Sequence, residues 1–266
     1  MSAALTPSAT PAHTPSRPGG GGFGGAVAAE WTKLWSLRAP YVCLLAGAAV
    51  TTVFTFYYGS IARIGDQPLQ PVGNAPVSSV VLVQFAVVVL AMTTVTSEYA
   101  TGSVRTSLLW VPVRHHVQLA KSLVTAAVSC VAGVLWGALG VAVAWRPFGG
   151  HATFETAQVL SHLLAMGLYC ALIAVLTVGT AFALRHAAAT LAVLAFLVAA
   201  LPGMLTGLGG PVLLTVNDYL PQTAGGYFLH GGDGAPYPAP AGLLIVLAWT
   251  AAAHFTGRAV LGRRDA

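Results

Sequence analysis

Asp, Glu, Lys and Arg are absent from six long stretches of this chain, residues 39–62, 67–97, 122–145, 156–184, 186–217 and 234–257. The stretches run from 24 to 32 residues and are dominated by aliphatic side chains. A helix rising 1.5 Å per residue crosses the hydrocarbon layer in about 20 residues. Each stretch therefore crosses once, and none comfortably crosses twice. Helices are expected near 40–59, 78–97, 122–144, 157–183, 188–207 and 241–257. Membrane β-strands would alternate over runs of about ten residues, and these runs are too long and too uniformly apolar for that. Only 7% of the 266 residues are charged and 56% are hydrophobic, against about 25% charge in a typical soluble domain. A disordered or fibrous chain is excluded, and a soluble globular enzyme nearly so. The fold class is an all-α integral membrane protein.

The basic residues set an orientation. With the amino terminus inside, the inner side holds Arg17, Lys33, Arg38, Arg105, Arg114, Lys121, Arg185, Arg258, Arg263 and Arg264, and the outer side only Arg63 and Arg146. Lys and Arg accumulate on the cytoplasmic side of membrane proteins, so both termini are expected in the cytoplasm. Of the acids, Asp66, Glu155, Asp218 and Asp233 fall outside, and Glu30, Glu98 and Asp265 inside. The net charge of +5 thus reflects topology and headgroup contact rather than a nucleic-acid surface. Ten Arg against two Lys, in an Ala- and Gly-rich chain, point to a GC-rich bacterium and its plasma membrane.

Residues 1–25 are mostly Pro, Gly, Ser, Thr and Ala and hold no apolar run. They read as a disordered cytoplasmic tail ending in the linker GGGGFGG, not as a cleavable signal. The first span would then be an uncleaved anchor, and residues 26–266 a single membrane domain. No GxxxxGK[ST] loop occurs, so the chain has no phosphate cradle of that kind. Cys43, Cys130 and Cys170 all fall in expected spans, where they act as small apolar packing groups.

Two segments outside the spans are amphipathic. In VAAEWTKLWSLRAPY, residues 27–41, Val27, Trp31, Leu34, Trp35 and Arg38 share helical spacing, with Glu30 and Lys33 on another face. The pattern suits a helix in the membrane plane with its tryptophans at headgroup depth. It is either a plain anchor or a surface for a cytoplasmic partner. Between spans two and three lies SEYATGSVRTSLLWVPVRHHVQLAK, residues 97–121, in which Glu98 and Arg105 bracket a short stretch ending at Pro112. Exposed Leu108 and Trp110 there are costly unless lipid or protein covers them. An ordinary positive loop is the competing reading.

That second segment resembles the loop after the second helix in ABC-2 type permeases, the membrane subunits of one class of ATP-binding-cassette exporters. The pattern of acid, Gly, base, Leu, Pro, base and Lys is matched by Glu98, Gly102, Arg105, Leu109, Pro112, Arg114 and Lys121. EWTKLWSLR before the first span, YLPQTAGGYF at 219–228 and the closing LGRRDA are also similar to that family. The resemblance runs from about residue 26 to the end. It implies six helices per subunit, a dimer of permeases, and separate ATPase subunits that bind ATP and magnesium. It implies that residues 27–38, with Glu30, Trp31, Lys33, Leu34 and Trp35, and 98–114, with a short coupling helix, contact the ATPase. It also implies that 202–240 folds back into the membrane as short re-entrant helices.

No catalytic or metal constellation emerges. His162 and His254 lie alone in spans, and His115 and His116, being adjacent, are expected on opposite sides of a helix. Gly133, Gly137 and Gly140 include a G-x-x-x-G spacing that permits close helix approach, within the chain or across a dimer. An ion-coupled transporter normally carries a charged residue inside a span, and the six runs carry none. A membrane-embedded enzyme would need convergent His, Asp or Glu. An export permease served by a partner ATPase, with no cofactor of its own, is the expectation that remains.

Overall fold

The computed structural model describes residues 22–103, 114–231 and 235–263. Ten helices occur among them: α1 Gly22–Ser36, α2 Ala39–Ile64, α3 Asn74–Thr101, α4 Arg114–Phe148, α5 Thr156–Leu184, α6 Ala187–Ala195, α7 Leu201–Leu208, α8 Pro211–Asp218, α9 Pro221–His230 and α10 Ala239–Arg263. Six helical stretches are long and apolar enough to cross a membrane: α2, α3, α4, α5, the stretch from α6 through α7, and α10. The chain is a helical, multi-pass membrane protein by this measure, with the number of crossings expected from its uncharged runs.

Local chemistry explains the breaks. Pro40, Pro76, Pro211 and Pro221 each stand in the first turn of a helix, where a missing N–H costs nothing. Pro202 explains why the fifth span is not regular. It has no N–H to bond the carbonyl four residues back, and residues Phe196–Ala200 just before it form a π-helical turn. There Leu201 N–H reaches Phe196 O, five residues back. Gly102 ends α3 with φ 71°, the left-handed conformation that favours glycine. This gives the Gly of the loop pattern a backbone role.

The helices alternate in direction. The α2–α3 and α4–α5 connections meet in a two-residue parallel ladder, Gln70 opposite Ala152 and Pro71 opposite Thr153. This short sheet is the departure from an all-α fold, and it places both connections at one end of the bundle. Helix α5 is central, packing against α3, α4 and α10. Its Met166, Tyr169, Cys170 and Ile173 are fully buried. The expected small-residue crossing lies within the chain. A Cβ on Gly133 would come 2.9 Å from Gly167 Cα, and one on Gly137 2.7 Å from Leu163, so α4 and α5 touch backbone to backbone.

Two helix ends differ from expectation, the start of α1 and the end of α3. Helix α1 begins at Gly22, inside the glycine linker, with the Phe23 ring against that of His116, centroids 5.6 Å apart. Helix α3 continues to Thr101 and α4 starts at Arg114, so Glu98 and Lys121 belong to the spanning helices. Charge-free runs end at the first charge, whereas helices end where capping or packing stops them. The His115 and His116 rings, expected on opposite sides, lie in edge contact with centroids 4.7 Å apart.

Candidate functional site

Four charged side chains converge where α1, the end of α3 and the start of α4 meet. Lys121 is the hub. Its Nζ donates to Glu30 Oε2 at 2.6 Å, Glu98 Oε1 at 2.9 Å and the Thr94 carbonyl at 2.9 Å. An ammonium has three donors, and all three are used. Lys33 Nζ donates to Glu30 Oε1 at 2.8 Å and Glu98 Oε1 at 3.0 Å. Lys121 is 2% exposed and Glu30 7%. Two carboxylates and two ammoniums balance, as buried charge requires.

The geometry corrects the orientation expected for α1. Its buried residues are Ala26, Glu30 and Leu34, one turn apart, so the face with Glu30 points into the protein. Leu34 packs with Cys43, Leu90, Val124 and Val128. Trp31 is 48% exposed, and Trp35 lies between, half-buried, its ring against Trp31 and Tyr41. Tryptophan tolerates a half-wet position because one end of its ring system is polar. Burial opposes charge on the Lys33 ammonium. Its hydrogen bonds and charge contacts with Glu30 and Glu98 outweigh that, and its pKa lies above the ordinary 10.5.

Glu98 stands in the last turn of α3. A carboxylate there faces the negative end of the helix dipole, so its two lysines do the stabilising. Its other oxygen, Oε2, is buried with no hydrogen-bond partner. Glu98 lines a cavity of about 420 Å³ together with Lys33, Ser36, Ser97, Thr101 and Ser103. Of the expected contact residues, Glu30, Lys33, Leu34 and Glu98 are thus brought together, with Trp31 and Trp35 beside them. Gly102 caps α3 nearby, and Arg114 opens α4. Arg105, Leu108, Trp110 and Pro112 lie outside the described residues.

A second polar cluster was not anticipated. Tyr169 Oη donates to Gln84 Oε1 at 2.9 Å, and Gln84 Nε2 donates to Gln222 Oε1 at 2.5 Å. Gln84 and Tyr169 are buried in α3 and α5, while Gln222 opens α9 within the YLPQTAGGYF string. Further along α9, a Cβ on Gly225 would come 2.1 Å from the Tyr169 ring. The string therefore docks α9 on the bundle through an amide and a glycine. A lone Gln inside a charge-free run was the available signal.

The remaining candidates are packing groups. His162 is 7% exposed beside Gly73, and the His254 carbonyl accepts from Gln118 Nε2 at 2.8 Å. Cys43, Cys130 and Cys170 are free thiols. Among the described residues no three His, Cys, Asp or Glu side chains stand where they would hold a metal. In comparisons with known proteins, the chain matches no family model and no curated sequence.

Proposed function

We propose that this chain is the membrane subunit of an ATP-binding-cassette exporter of the ABC-2 type, working with a separate ATPase that binds and hydrolyses ATP. The observation that carries the reading is the ionic joint at α1, α3 and α4. It fastens the two helices flanking residues 102–113 to the amphipathic α1. These are the two segments that the resemblance assigns to ATPase contact. A push on either would reach α3 and α4 together, because Lys121 binds acids from both α1 and α3. Helix α1 would lie at the inner membrane surface as an interfacial helix, with both termini cytoplasmic, in a bacterial plasma membrane. The coupling segment would run from Glu98 to Arg114, most of it outside the described residues, and two copies of the chain would pair. Helices α8 and α9 would fold back toward the outer leaflet, as the resemblance implies.

An ion-coupled transporter is the second reading, and one finding favours it. Glu98 of spanning helix α3, whose Oε2 is buried with no hydrogen-bond partner, lines a cavity between α1, α3 and α4. The pairing of Glu98 with two lysines weighs against it, since a coupling acid must exchange its partner. Affinity isolation of the full chain from its native membranes in mild detergent, followed by mass identification and an ATPase assay, separates the two. Co-isolation of a chain with a P-loop, with ATP hydrolysis that the pure permease lacks, is expected. Isolation of the chain alone, with uptake in proteoliposomes driven by an ion gradient, overturns the proposal.

A further inference from the structure

Helix α8 ends in Asp218, and three tyrosines gather around it. Tyr227 of α9 donates its hydroxyl to Asp218 Oδ1 at 2.9 Å. Tyr237, which precedes α10, donates to the Asp218 carbonyl. Tyr219 follows Asp218 directly, and its own carbonyl accepts from Trp249 Nε1 of α10 at 2.9 Å. The rings form one cluster, with the Tyr237 centroid 5.4 Å from that of Tyr227 and 5.9 Å from that of Tyr219. The Tyr227 and Tyr237 planes stand at 90°. Tyr219 is 54% exposed, so the cluster is open on its side.

The carboxylate lacks a cation. Asp218 makes no ion pair with Lys, Arg or His among the described residues, and it faces the negative end of the α8 dipole. Tyr237 and Trp249, the latter about 15 Å along α10 from Ala239, bracket it. It therefore stands beside a spanning helix, where an unpaired charge is costly and marks a substrate or ion path. Burial, then the Asp218 charge, push the Tyr237 phenol up to about 12. That ring stays neutral and keeps the negative face that attracts cations. Calcium or magnesium would need six or more oxygen ligands, more than the cluster offers. A primary ammonium would need acceptors for three N–H groups. A methylated ammonium needs only ring faces and a nearby negative charge. We propose that Asp218, Tyr219, Tyr227 and Tyr237 receive a quaternary ammonium group at the outer end of α10. The four outer acids against two outer bases would draw such a cation toward it. Binding there needs no ATPase and is independent of the exporter reading.

Saturation-transfer NMR on the methyl protons of choline, with the full chain in a maltoside detergent that carries no ammonium, tests this. Choline should receive saturation from the protein, and dimethylbutanol, its uncharged carbon isostere, far less. Asp218→Asn keeps the size of the side chain and should weaken choline binding about tenfold, the loss of one charge-assisted contact. Tyr219→Leu should weaken it about fivefold, the loss of one cation–π contact. Val212→Ala, at an exposed position of α8, should leave it unchanged. If Asp218→Asn does not accumulate, Tyr219→Leu makes the same comparison. The ammonium could belong to a lipid headgroup or to a free ligand. Loss of the choline signal in phosphatidylcholine nanodiscs but not in phosphatidylglycerol ones assigns it to the headgroup, and survival in both assigns it to a free ligand. Equal transfer in the parent, Asp218→Asn and Tyr219→Leu overturns the proposal. So does equal transfer to the uncharged isostere.

Discussion

Lys121 and Glu30 are 91 positions apart, yet their side chains meet at 2.6 Å beneath α1. The contact makes a helix that precedes the first span part of the α3–α4 corner. Removing one member of a buried ionic cluster strands the others, at about 3–5 kcal/mol. Lys121→Met, which keeps the aliphatic stem, leaves Glu30 and Glu98 with Lys33 alone. A large drop in thermal midpoint in detergent is expected. The triple variant Lys121→Met, Glu30→Gln, Glu98→Gln should recover much of it by removing the stranded charge. Unchanged melting of Lys121→Met would mean the cluster does not hold α1.

Lys33 contributes with a definite pH sign. Its folded pKa is raised above 10.5 by Glu30 and Glu98, so its stabilisation is full below 10.5 and fades as pH rises through the folded value. The parent should melt above Lys33→Gln at neutral pH, and the two should converge only above pH 10.5. A difference that vanishes near neutrality contradicts the pairing. Lys33 is half-exposed, so added salt should shrink the difference.

Gly225 touches the Tyr169 ring where any side chain would overlap it. Gly225→Ala should destabilise by about 1–3 kcal/mol, the range for overpacking a filled core, and loosen α9. Gly226→Ala, where nothing lies within 4 Å, serves as the neutral neighbour. Thermal melting and the protection of Gln84–Tyr169 amides from exchange would separate the two variants.

The β ladder puts residues on both sides of it at one membrane face. Single cysteines replacing Leu69 and Phe154, both exposed, in a chain lacking Cys43, Cys130 and Cys170, should react with an impermeant thiol reagent from the same side. A cysteine at Ser103 should react only from the other side. Labelling of all three from one side would break the six-span arrangement.

The six crossings were legible because membrane hydrocarbon excludes charge, and charge is easily read from a sequence. The direction of α1 was not. Trp31 and Trp35 drew the apolar face toward themselves, whereas the inward stripe is Ala26, Glu30 and Leu34, a small residue, an acid and one leucine. The acid becomes an inward residue only once Lys121 is known to lie opposite. That pairing had a trace in the sequence, since Glu98 and Lys121 stand at the facing ends of adjacent antiparallel runs. The π turn before Pro202 was foreshadowed by the proline alone. The Gln70–Ala152 ladder left no trace, because two residues carry too little pattern to announce a strand. An ATPase contact was assigned to residues 27–38 and 98–114 by resemblance, and four of the twelve residues named for it, Arg105, Leu108, Trp110 and Pro112, lie outside the described residues.

The two-residue ladder ties the α2–α3 turn to the α4–α5 turn, while Lys121 and its carboxylates tie α1, α3 and α4 at the opposite end. Helices α3 and α4 are thereby clasped top and bottom like staves in a hooped cask, with α2 and α5 held at one end and α1 at the other. The spanning helices outside both hoops are the fifth span and α10, and each has only 17% of its apolar window buried, against 67% in α3. A swing of those two would leave both hoops closed and the α3–α4 frame unchanged in shape.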